Sequence, residues 1–316
     1  MTPIVVAAVL LAALTHASWN ALAHGIKDQL LAFTLVGGGG SLCGAVLACF
    51  APLPAAGAWP PLLVSALLHV VYQLLLMRSF QMGEFGQMYP IARGTAPLVV
   101  TVLAAVFVHE LPDAWQLAGV LMASAGLVGV ALWGLRGKKP AGHEETGAAG
   151  AAGATKADTS AESAESDEGG RGGAPQWPAL AAAVGTGLAI ASYTVVDGVG
   201  VRASGTSLGY IAWLMLLEGL AIPLWALARW RGTLMARLRP IALRGLLGGV
   251  LSVAAYGLVL WAQTRAPLAP VAALRESSII AGAAIGALFF KERFGWPRTA
   301  ASVLMVGGIA LMLHGT

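Results

Sequence analysis

Residues 85–108 read FGQMYPIARGTAPLVVTVLAAVFV and contain one charged side chain, Arg93. A run of this length and apolar character is long enough to cross a bilayer as an α-helix, which needs about 20 residues. Arg93 lies about eight residues inside it, roughly 12 Å deep at 1.5 Å per residue, too far for its side chain to reach the surface easily. The stretch therefore predicts a membrane span that contains a buried charge.

The rest of the chain has the same character. Hydrophobic residues make up 57% of the 316 residues, charged residues only 11%, and the mean hydropathy is +0.75. Soluble domains carry about 25% charged residues, so this composition indicates lipid as the solvent. We predict an all-α membrane protein with ten transmembrane helices, at about 3–23, 30–50, 61–80, 85–108, 114–134, 178–199, 207–228, 241–263, 267–290 and 296–314.

The composition changes between the fifth and sixth predicted spans. Residues 137–175 contain no Leu, Ile, Val, Phe, Met or Trp, but seven of the 15 acidic residues of the chain. Such a segment cannot bury enough apolar surface to become ordered. We therefore expect three parts: a five-helix repeat at 1–135, a disordered acidic and Gly/Ala-rich linker at 136–176, and a second five-helix repeat at 177–316.

The two halves resemble each other in register. Arg93 matches Arg275, which lies 182 positions later, and the same offset pairs Glu110 with Glu292 without a gap. A repeat of five spans is odd-numbered, so its second copy must enter the membrane from the opposite side. The register therefore predicts an inverted repeat, a common plan among transporters.

The basic residues suggest an orientation. Thirteen Lys and Arg residues fall in the odd-numbered connections and at their helix ends, whereas only Arg202 and Arg265 fall in the even-numbered ones. Positive charge favours the cytoplasmic side. We expect the linker in the cytoplasm and both termini outside, in a bacterial-type cytoplasmic (inner) membrane. The first span resembles a secretory signal but has no Lys or Arg before its apolar run, so we interpret it as a retained span.

Few motifs suggest chemistry. Residues 205–209 (GTSLG) fit the G-x-S-x-G pattern, in which Ser207 would be the nucleophile, but that motif works on a turn between a strand and a helix. The sequence has no H-E-x-x-H, P-loop or C-x-x-C motif, and we expect no metal, no cofactor and no enzyme activity.

Polar residues inside the spans remain as candidates, because ionisable groups there are expensive and usually functional. The predicted cavity residues are Arg93, Arg275, Glu276, Glu218, His16, Asn20, His69, Tyr72, Gln73, Tyr193 and Tyr256. The two arginines have two interpretations. Either they are structural, and each is paired with a glutamate and with backbone carbonyls, or they line a cavity and attract an anionic or zwitterionic solute.

Several short motifs resemble the EamA branch of the drug/metabolite transporter superfamily. They are HASWNALAHG at 16–25, ASYTVVDGVGVR at 191–202, and the turns VHEL and KERF before the last helix of each half. The resemblance implies alternating access around a central cavity, often with export of amino acids or other metabolites. It also implies that the first, third, fourth, sixth, eighth and ninth helices surround this cavity. Members often have both termini in the cytoplasm, whereas the charges of this chain argue for the reverse.

We therefore expect a secondary transporter, and specifically an exporter, of small metabolites such as amino acids or other anionic or zwitterionic solutes. Its expected partners are a small-molecule substrate, the lipid bilayer, protons as a coupling ion and a second copy of the chain, but no nucleic acid. Two alternatives remain: a membrane-embedded serine hydrolase that uses Ser207, and a non-transporting scaffold that acts through the linker.

Overall fold

The computed structural model describes residues 1–24, 26, 28–82, 85–136, 177–281 and 296–314. The α-helices over these residues are α1 (Pro3–His24), α2 (Gln29–Ala48), α3 (Trp59–Met82), α4 (Phe85–Leu103), α5 (Ala114–Arg136), α6 (Trp177–Ala203), α7 (Ser207–Glu218), α8 (Ala221–Trp230), α9 (Leu234–Leu238), α10 (Ala242–Gln263), α11 (Leu268–Arg275) and α12 (Trp296–His314). A π-helical turn at Ala104–Val108 continues α4. The described part of the chain contains no strand, which confirms the all-α prediction there. The predicted linker from residue 137 onward and Glu292 lie outside the described residues.

Six stretches are long and apolar enough to cross a bilayer: Pro3–Asn20, Gln29–Ala48, Ala56–Ser79, Ile91–Val108, Trp177–Ala203 and the run Ser207–Gln263. Two shorter apolar helices lie at Ala114–Gly129 and Thr299–His314. Large apolar side chains such as Leu42, Leu67 and Val102 point outward from these helices and are exposed. Side chains of this kind suit lipid and not water, so the chain is a multi-pass membrane protein.

Two predicted spans are interrupted. The span predicted at 207–228 breaks after Glu218, and α8 begins at Ala221. Pro223 contributes to the break because it has no amide to donate to the carbonyl of Gly219. The span predicted at 267–290 breaks at Glu276, whose amide donates to the Ala273 carbonyl at 3.1 Å in a tight turn. Two buried carboxylates, Glu218 and Glu276, therefore lie at interruptions of helices.

The break after Glu218 places α7 very close to α2. A Cβ atom added to Gly219 would lie 2.5 Å from the carbonyl oxygen of Gly37 and 2.5 Å from Oγ of Ser41. Neither the backbone oxygen nor the buried Ser41 can move freely, so only glycine fits here without separating the two helices.

We expect Gly219→Ala to destabilise the folded bundle by about 1–3 kcal/mol, the usual range for overpacking. Gly129→Ala on α5 is the matched control, because nothing lies within 4 Å of a Cβ atom there. Thermal unfolding of the purified variants in detergent measures both. Equal unfolding temperatures for the two variants would show that α2 and α7 have room to move apart.

The bundle has two distinguishable ends. Arg136 and Trp177, which flank the undescribed segment 137–176, mark the linker end. At the opposite end, the amide of Ala55, before α3, donates to the carbonyl of Ser204, after α6, at 3.1 Å. This hydrogen bond joins the segment before α3 to the end of α6 at that end of the bundle.

A group that we call the Glu110 cluster also lies at the opposite end. Glu110 Oε1 accepts a hydrogen bond from Arg202 Nη1 at 2.6 Å, and its Oε2 accepts one from the amide of Leu268 at 2.7 Å. Arg202 in turn donates from Nε to the Gln263 carbonyl at 2.7 Å and from Nη2 to the Ala266 carbonyl at 3.0 Å. The Glu110 carboxylate thereby satisfies an amide at the beginning of α11, where the helix dipole favours negative charge. The cluster ties α6, α10 and α11 to the segment that follows α4.

Candidate functional site

A cavity of about 90 Å³ lies between the helices of the two halves of the chain. It is bounded by α1, α2 and α3 from the first half and by α6, α7 and α10 from the second. Its described lining consists of His16, Trp19, Phe33, Val36, Gly37, Gly40, His69, Tyr72, Gln73, Tyr193, Met215, Glu218, Gly219, Ser252 and Tyr256. Phe33 lies near the beginning of α2, so the cavity reaches from the middle of the bundle toward the linker end. A space of this size holds several waters or a small polar group.

Glu218 is a carboxylate in the wall of this cavity. It is 8% exposed, and its Oε2 is buried without a hydrogen-bond partner among the described residues. The nearest basic atom is His69 Nδ1 at 3.5 Å. That nitrogen also lies 2.9 Å from the carbonyl oxygen of Ser65 and 3.1 Å from its hydroxyl oxygen, so it is closer to Ser65 than to Glu218. The arrangement therefore leaves a buried carboxylate oxygen facing the cavity with unused bonding capacity.

Aromatic rings form much of the remaining wall. The ring of His69 stacks on Tyr193 with centroids 3.8 Å apart, and Tyr72 meets Tyr193 edge to face at 5.6 Å. Tyr256 approaches both His69 and Tyr193 edge to face, at 5.3 Å and 6.1 Å. Such offset and edge contacts are the favoured geometries of aromatic groups. The rings hold one another and form an aromatic part of the cavity wall.

Asp197 lies behind these rings and is fully buried. Its Oδ2 accepts a hydrogen bond from the hydroxyl of Tyr256 at 2.5 Å, and its Oδ1 accepts one from the hydroxyl of Tyr210 at 2.9 Å. The two hydroxyls satisfy both carboxylate oxygens. Asp197 therefore positions Tyr256 and brings a second acidic group close to the cavity.

The first helix contributes an imidazole to the wall. His16 Nδ1 accepts a hydrogen bond from the indole Nε1 of Trp19 at 3.2 Å, so the neutral ring carries its proton on Nε2. Asn20 does not line the cavity, and its side-chain amide donates to the carbonyl of His16 at 2.8 Å. Asn20 thus stabilises α1 locally.

The two arginines meet at one glutamate. Arg93 Nε lies 2.7 Å from Glu276 Oε2, and an Arg93 Nη2 donates to Ser278 Oγ at 2.9 Å. Arg275 is held less well: its Nε is 3.7 Å from Glu276 Oε1, too long for a hydrogen bond. Nε and Nη2 of Arg275 are buried and have no hydrogen-bond partner among the described residues. Two positive charges therefore share one carboxylate, and Arg275 keeps unused donors.

Apart from Asn20, the predicted site residues thus fall into two groups. Seven of them line the cavity: His16, His69, Tyr72, Gln73, Tyr193, Glu218 and Tyr256. Arg93, Arg275 and Glu276 form the separate ion-pair group. Their roles in binding stay predictions. Compared with the helices that the family resemblance implied, α2 and α7 also contribute to the described lining, whereas α4 and α11 do not.

Sequence reasoning left Asp197 out of the predicted site. The signal was present, because Asp197 is an acidic residue inside a span, in ASYTVVDGVGVR. Its partner Tyr210 follows the connection to α7, and only the folded structure shows that the two side chains meet.

The G-x-S-x-G segment forms a helix start. Gly205 has a φ of +70°, and the side-chain oxygen of Thr206 accepts from the amide of Gly209 at 3.0 Å, which caps α7. Ser207 is the first residue of that helix, and the segment before it is the end of α6, not a strand. The pattern is explained by helix capping.

Comparison with known proteins identifies a family model that matches part of this chain. Residues 177–314 match the model of the EamA-like transporter family, part of the drug/metabolite transporter superfamily. The resemblance found in the sequence is confirmed over this range. Among curated proteins, no sequence matches this chain. A crystal structure of another protein is similar with a TM-score of 0.66 and 15% identity, over 98% of this chain and 96% of the other. At this identity the likeness shows a shared fold and nothing about function.

Proposed function

We propose that this chain, whose residues 177–314 match the model of the EamA-like transporter family, is a secondary transporter that moves small metabolites across the membrane by alternating access. The observation that carries the proposal is the cavity between the halves, with its polar and aromatic wall in the middle of an apolar bundle. Transporter sites commonly lie near the midplane, where repeats meet and helices are interrupted. Substrates of this class are small zwitterionic or anionic solutes such as amino acids, and the direction is export.

The contacts between helices support ten spans arranged as two inverted repeats, at 1–135 and 177–316. In such a repeat each span corresponds to the span five places later, so that α3 corresponds to α10 and α1 corresponds to α6. The contact of α3 with α6 then has a counterpart in the contact of α10 with α1, and both contacts are present. In the same way, α2 against α10 becomes α7 against α3, which is also present. The fifth and tenth spans, α5 and α12, pack on each other through Gly119 and Gly308. A duplicated unit would produce this exchange of partners.

The orientation proposed from the basic residues places the linker end in the cytoplasm. The cavity reaches toward that end, and the Glu110 cluster holds the opposite end together. In this arrangement the structure corresponds to an inward-facing state, which suits loading of an exporter from the cytoplasm.

The test is counterflow in proteoliposomes that contain the purified full chain. Vesicles loaded with a mixture of amino acids should take up labelled amino acids faster than protein-free vesicles, with and without a pH gradient. The same vesicles made with a chain lacking residues 140–172 should keep this activity if the linker is not the functional part. Folded protein without flux of any labelled amino acid or organic acid would overturn the proposal.

A further inference from the structure

The described wall of the cavity contains an acidic side chain but no Lys or Arg. Among the described residues that line it, Glu218 is the only carboxylate, and none is Lys or Arg. Arg93 and Arg275 lie outside this lining and are directed to Glu276. The second nearby carboxylate, Asp197, bonds to the hydroxyl of Tyr256 in the wall. The acidic groups at the described wall thus have no Lys or Arg in that wall to pair with.

Glu218 also has unused capacity to accept hydrogen bonds. Its Oε2 has no hydrogen-bond partner among the described residues although the residue is 8% exposed. A buried polar oxygen without a partner is unfavourable, and an incoming cation or N–H donor would relieve this. Because His69 Nδ1 is 3.5 Å from this oxygen but only 2.9 Å from the Ser65 carbonyl oxygen, this histidine leaves the Glu218 oxygen largely unused.

The rings around Glu218 have the second property that a cation site needs. Tyr193 and Tyr256 touch His69 and each other, Tyr72 packs on Tyr193, and Trp19 and Phe33 complete the described lining. Aromatic faces attract ammonium groups by cation–π interaction, most strongly where water is excluded. A carboxylate and several rings around one small cavity are the arrangement that binds organic ammonium ions.

We propose that Glu218 and the surrounding rings form a subsite for the ammonium group of the transported solute, so that amines and zwitterions are accepted and simple anions are rejected. The proposal rests on the transport function above and narrows its substrate class. In a zwitterion, the ammonium group lies against Glu218, and its carboxylate is left to the side on which Arg275 has unused donors.

Isosteric probes test this without knowledge of the natural substrate. Choline, glycine betaine, 3,3-dimethylbutanol and 3,3-dimethylbutyrate have similar branched ends but are cationic, zwitterionic, neutral and anionic. Their affinities are measured on the purified full chain in lipid nanodiscs by calorimetry. We expect choline and glycine betaine to bind at least about tenfold more tightly than 3,3-dimethylbutanol, and the anion to bind most weakly.

Substitutions then test which residues cause the preference for choline. Glu218→Gln keeps the shape and removes the charge, so it should abolish the advantage of choline while leaving the affinity for 3,3-dimethylbutanol unchanged, which also shows that the cavity is intact. Tyr72→Leu should weaken choline binding, whereas Tyr72→Phe, which keeps the ring, should not. Glu110→Gln removes a carboxylate at the opposite end and should change neither affinity.

Three results would overturn the subsite: choline no tighter than 3,3-dimethylbutanol in the wild-type chain, an unchanged advantage of choline in Glu218→Gln, or tightest binding of the anion. Binding that follows the expected order without counterflow of any solute would support the subsite and overturn the transport function. Counterflow of anions alone would support the transport function and overturn the subsite.

Discussion

The Glu276→Gln variant is expected to lose more stability than any other single substitution proposed for this chain, about 3–5 kcal/mol. Glu276 is 1% exposed and is the carboxylate that Arg93 and Arg275 share. Glutamine keeps the size of the side chain but leaves two buried positive charges without a counter-charge, and like charges repel strongly where the dielectric constant is low. Thermal unfolding in detergent and the yield of monodisperse protein measure the loss.

The matched control for that variant is Glu110→Gln. Glu110 also pairs with an arginine, but its side chain is 23% exposed, so water compensates for part of the lost interaction. We expect a clearly smaller loss of stability there. An unfolding temperature of Glu276→Gln at the wild-type value would mean that one of the arginines is satisfied by some other group.

The Arg275→Ala variant is expected to insert and fold at least as well as Arg93→Ala but to lose transport of zwitterionic solutes. Arg93 is held by Glu276 Oε2 at 2.7 Å and by Ser278 Oγ at 2.9 Å, whereas Arg275 lies 3.7 Å from the same glutamate and has buried, unpaired donors. Removing Arg275 relieves a like-charge contact, while removing Arg93 breaks a close ion pair. Loss of one charged hydrogen bond to a solute corresponds to a decrease of transport of roughly 10- to 100-fold.

Counterflow in proteoliposomes and thermal unfolding, measured on the same preparations, separate the two arginines. The expected result is a stable but inactive Arg275→Ala and a destabilised Arg93→Ala. Normal transport by both variants would leave only the structural interpretation of the pair. Arg202→Lys at the opposite end controls for general effects of altering an ion-paired arginine, since Arg202 pairs with Glu110 and does not line the described cavity.

The sequence predicts the class of fold because hydrocarbon imposes a simple requirement. A chain in lipid must satisfy its backbone internally, so apolar runs of sufficient length become helices, and runs such as 85–108 could be identified directly. The interruptions after Glu218 and at Glu276 could not be predicted in the same way. They depend on Gly219 meeting Gly37 on another helix and on a carboxylate placed between two arginines.

The sequence indicated which polar residues belong to the candidate site, but not which of their side chains contact each other. Glu276 follows Arg275 in sequence, yet its close partner is Arg93, because neighbouring residues on a helix do not face each other. The structural interpretation would pair each arginine with a glutamate, but Glu218 lies beside His69. Partners of this kind are chosen by tertiary packing, which spacing along one helix does not reveal.

The positions of the two interruptions have a mechanical consequence. Both lie in the second half of the chain, whereas α2 runs without a break over Gln29–Ala48 and α4 runs on into its π-helical turn. Backbone amides near a break are held by fewer helical bonds and should exchange their hydrogen with solvent sooner. We expect the half of the chain that contains both breaks to bend more easily than the other half and to undergo most of any conformational change.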